Sequence, residues 1–96
     1  MRVISKKALT VFWQRYADAE KPLRFWYTIF KKSDFENFAG IKNAWSAVDK
    51  VDKFTVFDIG GNKFRLITII NYRTRKIFVR DVLTHRQYDL ENWKRE

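Results

Sequence analysis

The chain has 96 residues, no cysteine, and 20 Lys and Arg against 11 Asp and Glu, a formal charge of +9. This length predicts one domain, residues 1–96, and the lack of cysteine excludes disulfides and Cys-ligated zinc. The positive surplus points to a polyanion or an acidic protein as partner, while no apolar run approaches the ~18 residues of a membrane-spanning helix.

Residues 2–5 read as a short strand. Ser5 is expected to cap a helix running to about residue 20, because Leu9, Phe12, Trp13 and Tyr16 recur on one helical face. Lys21 and Pro22 break it, and proline suits the first turn of the next helix, about residues 22–32, where Leu23, Trp26, Tyr27 and Phe30 repeat the pattern. Residues 33–52 read as a loop with one or two short helical turns packed by Phe35, Phe38 and Trp45. Then the period changes to two. Residues 53–59, 63–72 and 76–83 are expected strands, joined by Gly60-Gly61-Asn62 and by Arg73-Thr74-Arg75. Residues 84–95 read as a terminal helix or turn. The order βαα then βββ predicts an α+β fold, a helical hairpin packed on one face of a mostly antiparallel sheet. The N-terminal segment has no signal-peptide core followed by small residues, so a cytosolic protein is expected.

From Lys63 to Arg80 there is no acidic residue, yet six cations: Lys63, Arg65, Arg73, Arg75, Lys76 and Arg80. A two-residue loop in the first hairpin puts Phe57 on one face with Phe64, Leu66, Thr68 and Ile70. Lys63, Arg65, Ile67, Ile69 and Asn71 then face the other way. Asp58 falls opposite Lys63 or Arg65, depending on the loop. Arg65 is then either half of a cross-strand ion pair or a fixed cation on an open sheet face, where its planar fork can grip two phosphate oxygens. A three-residue turn at 73–75 brings His85, the one histidine of the chain, to the side of Lys63 and Arg65; a two-residue turn sends it to the Phe64 side. Thr84-His85 also reads as a helix start, and Tyr88 as a core anchor.

Arg73, Arg75 and Lys76 cluster at a hairpin tip and extend a basic stripe with Lys63 and Arg80, as a backbone-binding groove requires. Trp13, Trp26 and Trp45 read as core, whereas Trp93 either packs the terminal segment or meets a partner. One histidine without cysteine or a carboxylate cluster offers no metal-ligand set, and Gly60-Gly61-Asn62 lacks phosphate-loop spacing, so no cofactor is expected.

The run from Phe57 to Ile67, FDIGGNKFRLI, and the run from Arg80 to Asp89, RDVLTHRQYD, resemble the HigB toxins of type II toxin–antitoxin systems. The resemblance covers most of the chain and is sharpest over residues 53–89. It implies a RelE-like βααβββ fold, ribosome-dependent mRNA cleavage and the bacterial cytoplasm. It also implies a DNA-binding HigA-type antitoxin as partner, in a toxin–antitoxin heterotetramer. Arg65 matches the arginine of the G-N-x-x-R element, and His85 and Tyr88 match T-H-x-x-Y-D. RelE itself lacks this histidine and relies on further basic residues. On this reading Arg65 stabilises phosphorane charge, His85 moves a proton, and Tyr88 stacks on a base or assists. Lys63, Arg73, Arg75, Lys76 and Arg80 hold RNA phosphates. The competing readings are a non-catalytic basic nucleic-acid-binding module and a module for an acidic protein partner.

Overall fold

The computed structural model describes residues 1–95. In chain order it contains β1 (Arg2–Ile4), α1 (Lys6–Arg15), a 3₁₀ turn (Ala17–Ala19), α2 (Glu20–Lys32), α3 (Phe38–Ala44), β2 (Val48–Val51), β3 (Phe54–Ile59), β4 (Phe64–Asn71), β5 (Lys76–Thr84), α4 (His85–Asp89) and a closing 3₁₀ turn (Asn92–Arg95). The sheet order is β1-β5-β4-β3-β2, with β1 parallel to β5 and every other pair antiparallel. This is the expected α+β fold.

Local details differ from the sequence reading. Helix α1 ends at Arg15, because Tyr16 takes an extended conformation (φ −120°, ψ 90°). Ser5 sits at φ 72° and its side chain makes no capping bond. Helix α2 starts two residues before Pro22, which still falls in the first turn, where backbone N–H groups have no partner inside the helix. Asn37 caps α3 by accepting from the Gly40 N–H at 3.1 Å. Strand β2 lies where a loop was expected. It is a four-residue edge strand whose middle residues, Asp49 and Lys50, are exposed, so it carries almost no apolar alternation. Asp52, at φ 53°, makes the sharp return into β3, a conformation aspartate tolerates.

The β3–β4 hairpin adopts the register that sets Asp58 opposite Arg65. Gly60 and Gly61 supply the positive φ, at 62° and 70°. The β4–β5 pair is less regular. From Asn71↔Lys76 to Thr68↔Val79 the register is that of a two-residue turn, the one that would carry His85 to the Phe64 side. Arg80 is then an extra, unmatched residue, and pairing resumes as Ile67↔Asp81, Leu66↔Val82, Arg65↔Leu83 and Phe64↔Thr84. This is a β-bulge. Its one-residue shift exchanges faces for everything that follows and restores the register of the three-residue turn. Deleting Arg80 is therefore expected to lower the melting temperature and break the His85–Arg65 contact. Arg80→Ala keeps the bulge and should preserve both. A deletion variant that melts like Arg80→Ala would show that the bulge does not set the register.

The sheet buries apolar residues on both faces. On the helical side Leu9, Leu23, Trp26, Phe30 and Ile41 pack on Phe57, Ile59, Phe64, Leu66, Ile77 and Val79. Trp26 is fully buried, and Trp13 and Trp45 are half-buried against the same core. On the opposite side Phe54, Val56, Ile67 and Leu83 form a second cluster closed by Trp93. This face is thus no open basic surface, as the charge pattern had implied. The Trp93 ring meets Phe54 at 5.4 Å and stacks on Tyr88 at 5.0 Å, while its indole N–H donates to the Tyr88 carbonyl at 3.0 Å. Trp93 therefore packs the terminal segment onto the sheet.

Candidate active site

The start of α4 is pinned from two directions. Thr84 and Gln87 form a reciprocal cap, with Gln87 N–H donating to Thr84 Oγ1 at 3.2 Å and Thr84 N–H to Gln87 Oε1 at 2.9 Å. The His85 N–H donates to the Lys63 carbonyl at 3.0 Å, tying the helix to the start of β4. The two sequence readings of His85, helix start and neighbour of Arg65, are both realised.

Arg65 is only 8% exposed. Its Nε meets Asp58 Oδ1 at 3.0 Å, and its Nη1 donates to the carbonyls of Asn62 and Phe64 at 3.1 and 3.2 Å. Its Nη2 lies 3.2 Å from His85 Nδ1, and its guanidinium carbon 5.3 Å from the Tyr88 ring centre. The cross-strand ion pair therefore forms, and Arg65 is not a cation on an open face. Two of its nitrogens are anchored, and the third is turned to the exposed imidazole. On the far side of that ring, His85 Nε2 is 3.2 Å from Asp89 Oδ2. A guanidinium only donates, so Nδ1 is the unprotonated nitrogen, and the neutral ring carries its proton on Nε2, facing Asp89.

Burial pushes the Asp58 carboxyl above the usual carboxylate range, although Arg65 pulls it the other way. Burial, followed by the charge of Asp49, raises the Tyr88 phenol above its ordinary value, against the opposing pull of Arg65. Tyr88 is thus a protonated phenol at neutral pH. Its ring is already engaged by Trp93 and Arg65, which leaves it poorly placed to stack on a base.

The remaining predicted residues are spread out. Lys63 sits at the same end of the sheet, paired with Asp18 at 3.3 Å on the surface. Arg80, at the bulge, lines a small hollow with Phe54, Ile67, Asp81 and Trp93. Arg73, Arg75 and Lys76 lie at the opposite hairpin tip, beyond Asn71, about 20 Å along β4 from Arg65 at ~3.3 Å per residue. The basic residues thus form no continuous stripe. Asp89, the last residue of the T-H-x-x-Y-D element, was not among the expected site residues. The signal that identifies it is its i,i+4 spacing from His85 on a helix. Among the described residues no group of three or more His, Asp or Glu side chains could hold a metal ion, and no helix is long and apolar enough to cross a membrane.

A helical layer on a five-stranded, mostly antiparallel sheet, with a polar cluster at one end of the central hairpin, is the RelE-like arrangement. The family model of HigB toxins, described as the RelE-like toxic component of a toxin-antitoxin system, matches residues 19–91, and the chain belongs to this family. The mRNA interferase toxin HigB of Escherichia coli (strain K12) is 28% identical over 92 residues, covering 93% of this chain and 88% of the relative. The mRNA interferase HigB of Escherichia coli O6:H1 is 30% identical over 92 residues, with 93% and 89% covered. The protein is the toxin of a toxin–antitoxin pair, and an antitoxin is its partner.

Proposed function

We propose that residues 1–96 act as one toxin domain, a ribosome-dependent mRNA endoribonuclease of the bacterial cytoplasm. Its partner in this reading is a HigA-type antitoxin with a DNA-binding domain, bound in a heterotetramer. The observation that carries the nuclease reading is the convergence of Arg65, His85 and Tyr88 at one end of the sheet. The relatives' names, mRNA interferase, support the substrate.

RNA carries its own nucleophile. His85 Nδ1 takes the proton of the 2′-hydroxyl, and O2′ attacks the adjacent phosphorus. Arg65 Nη2 meets the charge that grows on the non-bridging oxygens, already oriented because Asp58 and two carbonyls hold the rest of the guanidinium. The P–O5′ bond breaks, and the Tyr88 phenol protonates the leaving oxygen. The products are a 2′,3′-cyclic phosphate and a 5′-hydroxyl, and solvent returns the proton from the imidazolium to Tyr88. Lys63 and Arg80 hold nearby phosphates. Arg73, Arg75 and Lys76 meet phosphates farther along the RNA. In this reading the ribosome supplies the orientation of the message, a large part of the rate.

Tyr88→Phe keeps the ring against Trp93 and Arg65 and removes only the donor. It should cut cleavage by about 10²-fold or more while leaving the melting temperature unchanged. Primer extension on a translated mRNA, with ribosomes and without, tests the whole reading. Cuts that appear only during translation, and vanish in Arg65→Ala and His85→Ala, are expected. Salt-sensitive RNA binding with no cuts by the wild type would favour a non-catalytic binding module.

A further inference from the structure

We propose that Asp89 is a positioning residue for His85, an inference that rests on the nuclease reading. Asp89 lies one helical turn after His85, and its Oδ2 stands 3.2 Å from Nε2. Among the described residues, Arg65 from β4 and Asp89 on its own helix face this imidazole, with Asp58 behind Arg65 on β3. Arg65 and Asp89 favour the same tautomer, one by donating to Nδ1 and the other by accepting from Nε2–H.

In the free protein the lone pair needed for catalysis is occupied by Arg65 Nη2. When RNA binds, the exposed imidazole lets go of Nη2, which is left facing the phosphate, and Nδ1 is released toward the 2′-hydroxyl. From that moment Asp89 alone holds the ring and its tautomer. Once Nδ1 has taken the proton, the imidazolium is faced by the Asp89 carboxylate. The step balances: one proton passes from O2′ to Nδ1, and none moves to Asp89. Carboxylate–imidazole pairs of this kind orient the ring and stabilise its cation in other hydrolytic sites.

The Asp89 side chain is 59% exposed, so its pair with His85 adds little to stability. A merely structural role thus predicts no change in cleavage on substitution. The test compares Asp89→Ala and Asp89→Asn with wild type in ribosome-programmed cleavage, alongside imidazole ¹⁵N spectra of the wild type. Asp89→Ala should lower kcat by about 10- to 100-fold with KM and melting temperature unchanged. Asp89→Asn, whose amide oxygen still accepts from Nε2–H, should recover part of the loss. The neutral His85 should carry its proton on Nε2. Wild-type kcat in Asp89→Ala overturns the proposal, and so does a neutral ring protonated on Nδ1, whatever the activity. Absence of cleavage by the wild type overturns the nuclease reading itself, and with it any part for Asp89 in that reaction.

Discussion

Asp58→Ala is expected to destabilise the protein by about 3 kcal/mol and lower its melting temperature by roughly 12–24 °C. Removing one partner of a buried ion pair strands the other. Arg65 cannot shed its charge, and at 8% exposure it cannot reach water easily. The expected loss lies at the low end for such pairs because the Asn62 and Phe64 carbonyls still accept from Nη1. The pair itself is not a strong source of stability. Burial raises the Asp58 carboxyl despite Arg65, so desolvation outweighs attraction. A carboxyl raised on folding favours its protonated form in the folded state. Its contribution is full below about pH 4, where an unfolded aspartate titrates, and is lost as pH rises through the higher folded value. Relative to Asp58→Asn, which does not titrate, the wild type should thus lose stability across that window. Melting curves from pH 3 upward check both points, and a wild-type-minus-Asn difference that grows with pH would contradict the sign.

His85→Ala should separate chemistry from folding. The side chain is 53% exposed, and α4 keeps its Thr84–Gln87 cap, so the melting temperature should move by no more than a few degrees. Cleavage should fall by about 10²–10⁴-fold, the usual loss for a proton-transfer group. Binding to RNA should be retained, because the substitution leaves Arg65 and Lys63 in place. Single-turnover rates beside salt-dependent binding curves measure the two effects. A variant that binds normally and still cuts at the wild-type rate would remove His85 from the mechanism.

The fold was legible because its large elements have clean periods. Leu23, Trp26 and Phe30 mark one buried face of α2, and all three are fully buried. Phe57, Phe64 and Leu66 mark the helical face of the sheet, and the structure buries each against it. Strand β2 escaped because its exposed Asp49 and Lys50 belong to an edge, where side chains need not alternate in polarity. The convergence of Arg65, His85 and Tyr88 was legible only as two alternatives. Turn length alone favours the wrong face at the hairpin tip, and a bulge at Arg80 reverses it. A bulge has no reliable sequence mark when the extra residue is an ordinary exposed arginine. The apparent stripe of cations was a feature of the one-dimensional chain. Eight residues of β4 separate its two ends, and Trp93 and Tyr88 cover the apolar surface near the middle.

In the proposed reaction the RNA's own 2′-hydroxyl is the nucleophile at this cluster. The direct test is an mRNA with a single 2′-deoxynucleotide on the 5′ side of the cleaved bond, presented on the ribosome. This message should bind as usual and not be cut there, while the all-ribose message should yield a 2′,3′-cyclic phosphate. Cleavage of the deoxy message at the same bond would contradict it.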